Sequence, residues 1–174
     1  MPAMPDATTR QLPAGARAFT VTDGHTAYLG ELRRLVGAYI ATWYPPGRPF
    51  SAADQQLLAA LPSEHAPALG ASLLAWHEQA PVGCLLLRAH PDEQGTAELR
   101  KMYVEPALRR SGAGRALLAA AVRRATGLGY RQLVLDVAAD RTAAAALYHN
   151  VGFVERARPD TVPGFVAMTL DLRR

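Results

Sequence analysis

Apolar and polar positions along the chain alternate between two periods, and the switches between them mark out eleven elements. Ala18–Thr22 (AFTVT) is short and β-prone, and reads as an opening strand. From His25 to about Thr42, Leu29, Leu32, Val36, Tyr39 and Ile40 recur at helical spacing, with Arg33 and Arg34 on the other side. The run Tyr44-Pro45-Pro46-Gly47-Arg48-Pro49 ends that helix, because proline lacks an N–H and restrains the residue before it. Ser51 then serves as N-cap for a second helix, expected to end near Leu61, before Pro62.

Ser72–His77 and Val82–Ala89 are apolar strands around the turn Glu78-Gln79-Ala80-Pro81, and Thr96–Val104 is a third strand ended by Glu105-Pro106. Gly114–Thr126 has high helix propensity, with Leu117, Leu118, Ala121, Val122 and Ala125 on one face, and Gly127 and Gly129 stop it. A strand at Gln132–Val137, a short helix at Thr142–Asn150, a strand starting at Gly152-Phe153-Val154 and a last strand at Val166–Leu172 follow. The order β-α-α-β-β-β-α-β-α-β-β predicts an α/β (α+β) fold, a mixed sheet with helices packed on it, in place of a regular βαβ array.

The 174 residues fit one domain, expected over 18–174, and residues 1–17 read as a loose leader with no apolar signal-like region. The single cysteine, Cys84, excludes an intramolecular disulfide and suits a reducing, cytoplasmic setting. Nothing approaches the ~20 apolar residues of a membrane span. The net charge of +4 is unevenly placed: Ala97–Arg131 holds eight basic residues and two acids, so that stretch carries +6 and the remainder −2. Local basicity points to a small anionic ligand and argues against a surface built for nucleic acid.

That ligand site is expected at Val104-Glu105-Pro106-Ala107-Leu108-Arg109-Arg110-Ser111-Gly112-Ala113-Gly114-Arg115. A glycine-rich turn feeding a helix offers free N–H groups at the positive end of the helix dipole. Gly112 and Gly114 allow close approach, and Arg109, Arg110 and Arg115 add charge. A nucleoside-triphosphate loop needs a Gly-Lys pair, which the chain lacks, and a dinucleotide fingerprint needs glycine where Leu117 stands. What remains, R-x-x-G-x-G after a strand ending V-x-P, resembles the pyrophosphate loop of the GNAT superfamily of N-acetyltransferases. Ala97–Val104 resembles that family's cofactor-lining strand, Gly129–Asp136 the strand that splays from it, and Ala144–Phe153 its A-x-x-L-Y-x-x-x-G-F segment.

The resemblance implies a mostly antiparallel sheet with one parallel, splayed strand pair and helices on both faces. It implies acetyl-CoA as co-substrate: the backbone at Met102 and Val104 would pair with the pantetheine arm, and Arg109, Arg110, Ser111, Gly112, Ala113, Gly114 and Arg115 would wrap the pyrophosphate. Tyr148 matches the position that protonates the departing thiolate, with ring packing as the plainer alternative. Glu98 is the candidate base, or else the ion-pair partner of a nearby arginine such as Arg100. Arg141 stands where many relatives carry Asn. Tyr39, Trp43, Tyr44 and Phe50, around the Pro-rich corner, are expected to line the acceptor pocket, and ordinary packing is the competing role for Tyr39 and Trp43. Cys84, within an apolar strand, reads as a packing residue. The five histidines show no metal-ligand spacing, so no metal is expected. The expected activity is acetyl transfer to a primary amine of a small molecule or peptide, in a ternary complex. A silent acyl-CoA-binding sensor is the alternative, and a homodimer is compatible with the family.

Overall fold

The computed structural model describes residues 19–24, 27–64, 68–157 and 161–173, with backbone alone for 62–64. The expected leader, Ala18 and His25 therefore lie outside the described residues, and the first helix, expected from His25, begins at Leu29 after Tyr28 as N-cap. In chain order the elements are β1 (Thr20–Asp23), α1 (Leu29–Ala41), α2 (Ala52–Glu64), β2 (Ala71–His77), β3 (Ala80–Ala89), β4 (Thr96–Val104), a 3-10 turn (Pro106–Leu108), α3 (Ala113–Gly127), β5 (Gln132–Ala138), α4 (Thr142–Val151), β6 (Val154–Glu155) and β7 (Phe165–Asp171).

The strands form one seven-stranded sheet in the order β1-β2-β3-β4-β5-β7-β6. Every neighbouring pair is antiparallel except β4–β5, which is parallel. Strand β3 shows why both faces are covered. Its Leu85 and Leu87 enter the cluster built with α3 residues Leu117, Leu118 and Ala121. Its Cys84 and Leu86 point the other way, into the cluster with Leu32, Leu35 and Val36 of α1. Alternation of a strand buried on both faces gives a continuous apolar run instead of a polar–apolar one.

Two expectations need correction. The second helix continues past Pro62 to Glu64. Proline cannot donate to the carbonyl of Leu58, and that oxygen accepts from Arg33 Nε at 3.1 Å instead, so the helix keeps its geometry without an orphaned acceptor. The hairpin turn is shorter than expected: His77 pairs with Ala80, leaving Glu78 and Gln79 as the loop, with Glu78 at φ 56°. Ser51 caps α2 as expected, its Oγ accepting from the Asp54 N–H at 3.2 Å.

Candidate active site

The parallel pairing of β4 with β5 is short. Thr96, Ala97 and Glu98 pair with Gln132, Leu133 and Val134, and beyond Glu98 the two strands part. From Leu99 to Val104 one edge of β4 is thus open. Glu105 donates its N–H to Val82 O on β3 at 2.9 Å, so by alternation the backbone groups of Val104 and Met102 face that open edge. An extended ligand can add there as a strand would.

At the wide end of the gap the chain turns into α3. Arg110 (φ 61°) and Gly112 (φ 106°) are both left-handed, and such turns gather N–H groups into a concave donor surface. The first-turn N–H groups of Ala113, Gly114 and Arg115 have no intrahelical acceptor. The two glycines do different work. A Cβ on Gly112 would meet nothing closer than Phe19 at 4.0 Å, so its requirement is conformational, and the space before it is open to a ligand. A Cβ on Gly114 would sit 3.0 Å from both Leu147 and Met102. Gly114 therefore also serves packing, letting α3 approach β4 and α4. Gly114→Ala should lower stability by about 1 kcal/mol through overpacking, measured as a fall in the thermal midpoint. An unchanged midpoint would mean that Leu147 and Met102 yield freely.

The arginines also divide. Arg109 folds back, its Nε donating to Val104 O at 3.1 Å and its guanidinium lying 5.9 Å from the Tyr103 ring centre. Arg110 and Arg115 are exposed, as is Arg109 despite its tether. Ser111 Oγ donates to Leu108 O, closing the turn internally. The loop's shape thus comes from its own bonds, and all three of its arginines remain exposed to solvent. An open strand edge ending in outward N–H donors and guanidinium charge fits a long ligand with a diphosphate at one end.

Tyr148, on α4, reaches across to Met102 of β4. It is buried, its ring packs edge-on against Phe153 at 5.8 Å, and its hydroxyl donates to Met102 Sδ at 3.4 Å. Burial, then the neighbouring Tyr39, push the Tyr148 phenol well above the ordinary tyrosine value, so it stays protonated throughout the neutral range. Thioether sulfur is a weak acceptor, so the proton can be re-aimed at a better one with little loss. Cys84 is fully buried and burial pushes its thiol up to about 12, a protonated packing group as expected.

Glu98 lies directly opposite Arg88 in the β3–β4 register. Its Oε2 accepts from Arg88 Nε at 2.8 Å and lies 2.8 Å from Nη2, while Oε1 is 3.8 Å from Arg100 Nε. One oxygen is fully engaged and a second guanidinium stands beside the other. On this geometry Glu98→Gln should keep every limb of the pH dependence of kcat/KM, moving a limb's position at most through the lost charge beside Lys101. It should cost at most about 1 kcal/mol of stability, the scale of a cross-strand ion pair. Loss of a limb from that profile would return Glu98 to the role of base.

The four aromatics expected at the acceptor pocket separate into two groups. Tyr44 and Phe50 pack together at 5.6 Å against the α1–α2 cluster, and the Tyr44 hydroxyl and Ser51 Oγ both donate to Asp54, which holds that carboxyl below its ordinary value. Tyr39 and Trp43 instead stand beside the gap. Trp43 is 44% exposed, stacks on Phe165 at 5.8 Å, and carries the Arg141 guanidinium 4.8 Å above its ring. Arg141 also reaches Thr42 Oγ1 at 3.4 Å. In place of a short amide, this arginine ties the start of α4 to the end of α1. Phe165 and Lys101 belong to the same wall and escaped sequence reading. Phe165 arrives through the β5–β7 pairing with Ala138, a contact no local pattern encodes. Lys101 carried one usable signal: it is the only lysine among 19 basic residues.

A mixed sheet whose one parallel pair diverges around a glycine turn and an open helix start leaves room for an extended, phosphate-bearing ligand between its strands. The sequence profile described as the Acetyltransferase (GNAT) family matches residues 35–153. The chain belongs to that family. Among curated relatives, a mycothiol acetyltransferase from Kocuria rhizophila is 38% identical over 87 residues, 47% of this chain and 29% of that protein. The chain thus spans under a third of the length of that relative. A GNAT-family acetyltransferase from Staphylococcus aureus Mu50 superposes with a TM-score of 0.73 at 20% identity, over 90% of this chain and 100% of that one. The yncA protein of Salmonella typhimurium, solved with its cofactor acetyl-CoA, gives 0.69 at 19% identity over 90% and 95%. Both share the fold.

Proposed function

We propose that this protein transfers an acetyl group from acetyl-CoA to the primary amine of a small molecule or peptide, both substrates being bound together. The observation that carries the proposal is the divergence of β4 from β5 after Glu98, with the Gly112 turn at its open end. Backbone groups of Met102 and Val104 would hold the pantetheine arm. The N–H groups of Arg109, Arg110, Ser111, Gly112, Ala113, Gly114 and Arg115, with the exposed guanidinium groups of Arg110 and Arg115, would hold the diphosphate. The bound thioester supplies an activated acetyl carbon and a thiolate leaving group. Tyr148 gives that thiolate its proton. Tyr39 and Trp43 form the wall against which the acceptor lies, with Tyr44 and Phe50 supporting them from the α1–α2 side. Glu98 serves the site by fixing Arg88 and Arg100.

The test is release of free CoA thiol from acetyl-CoA in the presence of an amine panel covering amino acids, polyamines, peptides and amino sugars. Because the Kocuria rhizophila relative is named a mycothiol acetyltransferase, the panel includes the unacetylated form of mycothiol. Thiol release with one class of amine supports the proposal. Tight acetyl-CoA binding with no release for any amine would replace it with a silent acyl-CoA-binding module.

A further inference from the structure

Eighteen of the 19 basic residues are arginine, and the exception, Lys101, lies beside Tyr39. Arginine grips carboxylate and phosphate better than lysine does. What lysine alone offers is a proton it can release when desolvated. Lys101 also has a backbone that the rest of its strand does not share: φ is 52°, left-handed, in the middle of β4. Non-glycine residues held this way cluster at functional sites.

The cause is a bulge. Cys84 pairs with Tyr103 and Leu86 with Arg100, so Lys101 and Met102 together oppose Leu85. The extra residue resets the alternation of β4, sending Met102 and Val104 toward the α3 face and Tyr103 toward the α1 face. It also carries the Lys101 side chain across to α1, where Nζ lies 5.3 Å from the centre of the Tyr39 ring. Among the described residues, that Nζ has no hydrogen-bond acceptor and no carboxylate at ion-pair distance. Tyr39 in turn acts electrostatically on Tyr148.

The charged and titratable groups around Lys101 are Arg100 and Glu98 on β4, Arg88 and Cys84 on β3, Asp54 on α2 and Tyr39 on α1. Burial and then Arg100 disfavour the ammonium, Asp54 and Glu98 favour it, and the balance holds Lys101 below the ordinary lysine value.

We propose that Lys101 Nζ accepts the proton of the acceptor ammonium, a role from which Arg88 and Arg100 withdraw Glu98. This inference rests on the acetyl-transfer reading above. Neutral Lys101 takes one proton from the acceptor ammonium. The freed lone pair forms a C–N bond to the thioester carbonyl carbon as the C–S bond breaks, and the thiolate takes the Tyr148 proton. The second ammonium proton restores the Tyr148 phenol, and Lys101 returns its proton to solvent.

Because the chain has one lysine, reductive methylation with 13C-formaldehyde gives one side-chain NMR signal besides that of the α-amine, and K101M identifies it by its loss. The expected titration midpoint lies below that of a dimethyl-lysine peptide. In the unlabelled enzyme, kcat/KM should rise with pH along a limb that Lys101 sets. K101R and K101M should both lose that limb and fall about 10²-fold near neutral pH, the lower end of what a general base contributes. K101R is the informative variant, since it keeps charge and length but holds its proton. A K101R profile matching wild type, or a midpoint at or above the peptide's in an active enzyme, overturns the role of Lys101. Absence of transfer to every amine instead overturns the acetyl-transfer reading beneath it.

Discussion

Tyr148→Phe should lower kcat by about 10²–10⁴-fold, the range general acid catalysis supplies, with acetyl-CoA affinity close to wild type. The substitution keeps the ring that packs on Phe153 and removes the hydroxyl that donates to Met102 Sδ. Since that acceptor is a thioether, the hydroxyl contributes little to folding, and the fold should persist. Burial keeps the phenol protonated well past neutrality, so the wild-type kcat profile should show no loss of the acid below the ordinary tyrosine range. Steady-state kinetics paired with calorimetric titration of acetyl-CoA separates the two effects. Wild-type turnover in Tyr148→Phe would leave Tyr148 as a packing residue and assign the thiolate's proton to water.

Gly112→Val should weaken acetyl-CoA binding by an order of magnitude or more while the protein stays folded. Gly112 holds φ 106°, a region closed to a β-branched residue at a cost of about 1–3 kcal/mol. The turn relieves that cost by rotating, because no packed neighbour holds it, and rotation redirects the N–H groups at the start of α3. At about 1.4 kcal/mol per tenfold, that strain corresponds to a loss of this size. Gly127→Ala is the control: it lies in α3, has no positive φ and meets nothing within 4 Å, so affinity should hold. Unchanged acetyl-CoA affinity in folded Gly112→Val would remove the main support for a diphosphate site here.

Local chemistry made much of this protein legible before its structure. The Pro45–Pro49 run, the Ser51 cap and the glycines after α3 each act over a few residues, so the helix ends they mark appear within a residue or two of expectation. Gly112 was legible for the same reason, since a strand, a glycine turn and a strong helix former stand side by side. The helix end at Pro62 was misplaced because its remedy, Arg33, lies 25 residues away on another helix.

The surroundings of Glu98, Lys101 and Trp43 depended on pairings that no short window contains. Register sets Glu98 opposite Arg88 across the β3–β4 hairpin and so decides between a free carboxylate and an ion pair. The bulge at Lys101 arises where β4 must satisfy β3 on one edge while leaving its other edge open, a conflict visible only when both strands are in place. Phe165 reaches Trp43 because β7 pairs along the whole of β5, and Arg141 reaches Trp43 because α4 starts beside the end of α1. The sequence by itself determined the elements, their order and the glycine turn before α3, because those follow from backbone propensity and periodicity over short distances. The tertiary structure decided which side chains share the cleft, because strand register and helix docking minimise the free energy of the whole sheet, and one residue of slip on β4 exchanges its faces.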